Sequence, residues 1–119
     1  MTNEEFGEYF RKRTKQWAIR VVKYVMALQE SAVVRVVRYQ LIKSATSTAA
    51  NYRAACRARS KAEFHSKISI SLEEADESLF WLEFIQDYGL DNSDELRYLM
   101  KENEEIIAIL STARKNTDK

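Results

Sequence analysis

Few side chains in this sequence have the type and spacing to do chemistry. His65 is its only histidine, and Glu63 stands two residues before it. A di-iron helical bundle needs two Glu-x-x-His pairs, each at a three-residue step, and two further carboxylates. Cys56 is the only cysteine. With the distant His65 it lacks a third partner for nucleophilic catalysis, and a small buried hydrophobe is its expected role. A lone cysteine also leaves no internal disulfide, which suits a reducing cytosol. Glu73, Glu74, Asp76 and Glu77 form a dense acidic cluster. On a helix they spread around most of the circumference, the pattern of a solvated or salt-bridged face rather than of a metal site. Phosphate loops, nucleophile elbows and dinucleotide fingerprints are absent. The expectation is a protein that is not an enzyme and holds neither metal nor cofactor.

Two polar patterns remain. Gln40, Ser44, Ser47 and Asn51 follow one another at steps of four, three and four, so they share one helix face. With Ala45, Thr48, Ala49 and Ala50 they make this stretch thin. It reads as a tight, register-fixing helix contact, with a polar ligand site as the alternative. Arg35, Arg38, Lys43, Arg53 and Arg57 project within an arc of about 140° on the outward side of the same helix. Arg59, Lys61 and Lys67 extend that positive charge, and Arg11, Lys12, Arg13, Lys15, Arg20 and Lys23 add more on the preceding helix. Arg and Lys clustered on one surface are the footprint expected for nucleic-acid phosphates. Arg35, Arg38, Lys43, Arg53, Arg57, Arg59 and Lys61 are therefore the candidate contacts.

The elements that must position these residues are all helical. The chain has 119 residues, no proline and two glycines, which leaves room for few chain reversals. Phe6, Phe10, Trp17, Val21, Tyr24 and Leu28 place a helix over about residues 4–29. Val33, Val37, Leu41, Ala45, Thr48, Tyr52, Ala55 and Cys56 place a second over 32–59, capped by Ser31. Phe64, Ile68, Leu72, Ala75, Leu79 and Leu82 place a third over 61–88. Ser60 and Glu63 form its capping-box pattern, and Gly89 forms its left-handed end. Leu96, Leu99, Met100, Asn103, Ile106, Ile107 and Leu110 place the fourth over 93–113, capped by Asn92 or Ser93, with the tail from Ala113 to Lys119 frayed. The fold class expected is all-α, a single antiparallel up-down-up-down four-helix bundle.

The charge is uneven. Residues 1–70 carry fourteen Lys/Arg against five Asp/Glu, a net +9, and residues 71–119 carry five against thirteen, a net −8. Such halves pair with each other or with a neighbouring subunit, or else the first offers a basic binding surface. Two helices are also apolar on more than one side. Phe80, Phe84 and Tyr88, with Trp81 beside them, form a second line on the third helix, and Ile19, Val22 and Met26 form one on the first. One bundle core cannot bury both faces, so these residues are expected to meet another copy of the chain. No segment is apolar enough to span a membrane, and the start MTNEEFGEYFRKR lacks the apolar run of a secretory signal. A cytoplasmic location is expected.

The runs from Gln40 to Ser47, Ala50 to Arg53, Arg57 to Phe64 and Ser71 to Glu77, followed by Trp81-Leu82, resemble a family signature. The likeness is to the four-helix-bundle proteins encoded in intervening sequences of large-subunit ribosomal RNA genes. That family includes the accessory variability determinant of diversity-generating retroelements. The resemblance implies a ring-like homopentamer with a positively charged surface. In the retroelement branch it also implies RNA or DNA binding and association with a reverse transcriptase. A commoner version of the pattern follows the asparagine with an Ile-Ala-Glu-Gly-like stretch. Here Asn51 is followed by Tyr52-Arg53-Ala54-Ala55-Cys56-Arg57, which continues the helix, adds positive charge and leaves the subfamily open. The function expected is a non-enzymatic homo-oligomer that binds nucleic acid; the alternative is a structural or protein-interaction module.

Overall fold

The computed structural model describes residues 1–117 and contains four helices among them: α1 (Asn3–Met26), α2 (Ala32–Cys56), α3 (Lys61–Tyr88) and α4 (Asp94–Lys115). Each start carries a side-chain cap. Ser31, Ser60 and Ser93 accept from the backbone N–H three residues on. Thr2 and Glu5 form a full capping box at the head of α1, and the Thr2 backbone N–H holds the Glu5 carboxyl below its usual range. In α3 the reciprocal half of the expected box is shifted by one residue, because the Glu63 carboxylate accepts from the Arg59 N–H. Gly89, at φ +89°, closes α3 as expected: its own N–H and that of Leu90 fold back onto the Ile85 carbonyl.

The first two helices each end three residues earlier than their spacing suggests. The Ala27 N–H turns back to the Tyr24 and Val25 carbonyls, and the Arg57 N–H to those of Ala54 and Ala55, which tightens each last turn into its loop. Helix α4 runs to Lys115, further than expected. The end of the tail placed as frayed, Asp118 and Lys119, lies outside the described residues.

Cross-helix bonds give the direction of packing. Arg13 and Arg20 of α1 bond Glu102 and Glu95 of α4, and Tyr24 bonds Asp91 in the loop before α4, so the order is reversed. Ser71 and Ser78 of α3 likewise meet Thr48 and Ser44 of α2. The bundle is therefore antiparallel, with α1 beside α2 and α4, and α3 diagonally across from α1.

The core holds Phe10, Trp17 and Val21 of α1, Val37 and Leu41 of α2, Ile68, Leu82 and Ile85 of α3, and Leu96, Leu99, Ile106 and Leu110 of α4. Three assignments of the periodicity change. Phe6 lies at the surface, stacked on Phe10 at 5.8 Å. Cys56 is exposed at the last turn of α2 rather than buried. In α3 the buried line runs through Ser71, Ala75 and Ser78, leaving Leu72 and Leu79 half-buried. Helices α2 and α3 approach through small residues, and the hydroxyls satisfy one another. Ser71 donates to the Thr48 carbonyl at 2.7 Å, and Ser78 to Ser44 Oγ at 2.8 Å. The thin stretch of α2 thus forms a close helix contact. Asn51 turns back onto its own helix, donating to the Ser47 carbonyl at 2.9 Å.

Candidate functional site

The basic residues of the first two helices divide into two groups according to the face they occupy. On the α4 side of α1, Arg13 makes a bidentate contact to Glu102 at 2.7 Å and reaches Glu105 at 2.8 Å. The Glu102 carboxylate holds that guanidinium charged, well above its usual range. Arg20 makes a bidentate contact to Glu95 at 2.7 and 2.8 Å and lies 4.0 Å above the Tyr98 ring. The Tyr24 hydroxyl donates to Asp91 at 2.7 Å, and the Trp17 indole N–H to the Leu99 carbonyl at 3.3 Å. Long side chains therefore span the α1–α4 seam, and its arginines are structural.

Three of the seven candidate phosphate contacts, Arg35, Arg38 and Arg59, are also engaged within the chain. Arg38, its side chain only 20% exposed, donates to the Val25 carbonyl at 3.4 Å and pairs with Glu30 at 2.9 Å. Arg35 reaches the same Glu30 at 3.3 Å. Hydrogen bonds from Arg38 and then Arg35 lower the Glu30 carboxyl, and the trio braces the α1–α2 loop. Arg59 meets Glu63 at 3.4 Å while staying exposed, and Lys61 is exposed at the first turn of α3.

The second group makes no ion pair among the described residues: Arg11, Lys15 and Lys23 of α1, and Lys43, Arg53 and Arg57 of α2. Four of them, Arg11, Lys15, Lys23 and Arg53, rim a groove of about 550 Å³ between α1 and α2. Its floor is Ala18, Ile19, Val22, Ala49 and Ala50, and no acidic residue lines it. Ala49 and Ala50 are too small to fill the space between the helices, so the apolar floor remains open beneath the cations. Sequence reasoning had separated these residues, giving Arg53 to nucleic acid and Ile19 and Val22 to self-assembly; the groove brings them together. The α1 cations were noted by charge alone. Their signal was the spacing of Arg11, Lys15 and Val22, at steps of four and seven, which places them on the α2 side of α1.

The expected assembly residues of α3 form a continuous aromatic strip. Phe80 packs edge-on against Trp81 at 4.9 Å, Trp81 against Phe84 at 5.6 Å, and Phe84 stacks on Tyr88 at 5.6 Å. Phe80 is 54% and Tyr88 60% exposed, while Trp81 and Phe84 are half-buried against the core. On α1, Ile19 and Met26 are exposed and Val22 is half-buried.

At the end of the bundle, a cavity of about 930 Å³ lies between the head of α1 and the tail of α4, with Phe6, Tyr52, Cys56, Phe64 and Ile109 among its walls. Burial, then the neighbouring Cys56, pushes the Tyr52 hydroxyl well above its usual range. His65 contacts the Thr117 hydroxyl. Among the described residues no cluster of three or more His, Cys, Asp or Glu side chains could hold a metal ion, and no helix is long and apolar enough to cross a membrane.

Comparison with known proteins matches residues 10–112 to the model of the 23S rRNA-intervening sequence protein family. A crystal structure of a protein of unknown function from the S23 ribosomal protein family of Bacteroides thetaiotaomicron superposes with a TM-score of 0.83 at 28% identity. The match covers 92% of this chain and 97% of that one. No curated protein matches the chain.

Proposed function

The chain belongs to the 23S rRNA-intervening sequence protein family, and within it we propose a non-enzymatic module that self-assembles and binds nucleic acid through the basic surface of α1 and α2. The observation that carries this reading is the set of six cations of α1 and α2 that make no ion pair among the described residues: Arg11, Lys15, Lys23, Lys43, Arg53 and Arg57. A bundle that needed these charges only for its own stability would pair them, as it pairs Arg13 and Arg20. Phosphates along a strand offer that neutralisation and release their counterions in exchange. The neighbouring aromatic and aliphatic surfaces support assembly, which repeats the patch and raises avidity. A ring-like pentamer, and in the retroelement branch a reverse-transcriptase partner, follow from the resemblance described above. The alternative, a structural or protein-interaction module, draws its support from the acidic surface of α3, which could take up the same cations.

The test is a salt titration of binding to single- and double-stranded RNA and DNA. If about four phosphates are neutralised per site, affinity falls about 50-fold for single strands and about 150-fold for duplex between 50 and 200 mM salt. Arg53→Glu/Arg57→Glu abolishes binding while circular dichroism stays unchanged. No binding at low salt refutes the nucleic-acid half of the proposal and leaves the interaction module.

A further inference from the structure

The end cavity opens where the α1–α4 seam runs out of long side chains. Phe6, Arg13 and Arg20 follow at seven-residue steps, so Phe6 shares the α4-facing line of α1. Arg13 and Arg20 bridge to carboxylates of α4. At the level of Phe6 the α4 wall is Ala108, Thr112 and Ala113, and α1 itself contributes Gly7, which leaves the cavity between them. Its inner walls are aromatic. Tyr52, 6% exposed, packs edge-on against Phe10 at 4.8 Å, Phe10 stacks on Phe6, and Phe64 lines the α3 side.

The cavity also adjoins the basic groove. Arg11, half-buried, lines both, and Tyr52 of the cavity is followed in sequence by Arg53 of the groove rim. Together they run along α1 from Glu4 to Lys23, about 28 Å at 1.5 Å per residue. Their chemistries differ. Among the described residues the groove is lined by four cations and no acid, whereas the cavity has Arg11 at the junction and two carboxylates, Glu4 and Glu8. A phosphate is therefore favoured in the groove and disfavoured in the cavity. The cavity suits a flat, uncharged aromatic group with amino donors on its edge, since carboxylates only accept hydrogen bonds. A nucleobase has these properties, and a strand held in the groove presents one at its end.

We propose that the end cavity holds the terminal base of a single strand whose phosphates lie along the α1–α2 groove. The inference rests on the nucleic-acid binding proposed above and names its substrate, a single strand with a free end, because a paired base enters a pocket only after unstacking and unpairing. Phe6 and Tyr52 offer the aromatic surfaces for the base. Arg11 takes the phosphate at the turn from groove to cavity. Glu4 and Glu8 favour a base with an exocyclic amine, adenine, cytosine or guanine, over uracil or thymine.

A short single strand carrying 2-aminopurine, an amino-bearing isomer of adenine whose fluorescence falls when it stacks, tests this. Labelled at its 5′ end, its middle or its 3′ end and titrated with the natural chain, it is expected to be quenched at one end and not at the middle. Gly7→Leu fills the cavity. A Cβ at Gly7 would lie 3.7 Å from Cys56 Sγ and 4.0 Å from the Tyr52 hydroxyl, both ordinary contacts, and leucine favours the helix. This variant should abolish the quenching and weaken strand binding about 5- to 150-fold, the effect of one stacked base. The salt slope, which counts phosphates, should stay the same. Phe6→Ala, at a residue 37% exposed, should act in the same direction and decides the matter if circular dichroism shows Gly7→Leu unfolded. Equal quenching at the middle, or quenching and affinity that survive in a folded variant, overturns the proposal. Strand binding without quenching overturns it and leaves the nucleic-acid reading standing, whereas no strand binding at low salt overturns both.

Discussion

Asn103 is fully buried in α4, and its two amide atoms fare differently. Nδ2 donates to the Ala75 carbonyl of α3 at 2.9 Å, while Oδ1 has no hydrogen-bond partner among the described residues. The donated bond contributes about 0.5–1.5 kcal/mol net, and an unpaired buried carbonyl oxygen costs about 1–3 kcal/mol. Asn103→Leu removes both in a side chain of similar size. The Ala75 carbonyl keeps its place in the helical ladder of α3, so no new orphan is made. The variant should therefore be more stable by about 1 kcal/mol, roughly 4 °C in Tm for a chain of this length. Asn103→Ala removes the same bond but leaves a void, and should lose about 1–2 kcal/mol. Urea denaturation reads both changes as opposite shifts of the midpoint at constant slope. If Asn103→Leu instead loses more than about 1 kcal/mol, Oδ1 has a buried partner such as a water, and the argument from an unpaired oxygen fails.

Glycine substitutions at the two positions should differ in sign. Gly89→Ala, at φ +89°, should cost about 1–2 kcal/mol, whereas Gly7→Ala inside α1 should gain about 0.5–1 kcal/mol, since its Cβ would meet Cys56 Sγ at an ordinary 3.7 Å; thermal melts of the pair decide. Arg13→Met should lose about 1–3 kcal/mol in urea denaturation, because it strands the part-buried Glu102 charge. The Glu95 carboxyl is held below its usual range, first by its hydrogen bond from Arg20. A lowered carboxyl stabilises the fold above its ordinary value of about 4.3, and that contribution is lost as pH falls through the lowered one. The stability difference between the natural chain and Arg20→Ala, under about 1 kcal/mol for so exposed a pair, should be present at pH 7 and gone near pH 2. A difference that persists at pH 2 refutes the ion-pair account.

The fold was legible because the helical period of large apolar residues survives along all four segments, and because the serine caps, at Ser31, Ser60 and Ser93, precede their helices in sequence. In the α3 core Ile68, Ala75 and Leu82 are buried as read, but Leu72 and Leu79 were placed where Ser71 and Ser78 lie, one residue off, for a physical reason. Periodicity follows hydrophobicity, but the closest seam of this bundle is made of serines and alanines, whose advantage is size. Ser71 and Ser78 score as polar, yet they are fully buried because each finds a partner on α2. Cys56 failed in the opposite direction: an apolar residue on the core line reaches solvent because α2 ends there.

The binding surface was only half legible, because charge composition does not record facing. Helix α1 carries six cations. Arg13 and Arg20, one heptad apart, share a face with Trp17 and Tyr24, and that face meets the acids of α4. Arg11 and Lys15 lie a fraction of a turn away on the α2 side, where α2 is itself basic and offers no carboxylate. The same residue types thus become seam or groove according to which neighbour the turn presents. The net +9 of the first seventy residues overstates the free charge, since Arg13, Arg20, Arg35, Arg38 and Arg59 are engaged internally. Of the six cations of α1 and α2 that make no ion pair among the described residues, four, Arg11, Lys15, Lys23 and Arg53, rim the open apolar floor. Such a combination of cations and apolar floor suits the nucleic-acid strand proposed above, whose phosphates and stacked bases are anionic and aromatic together.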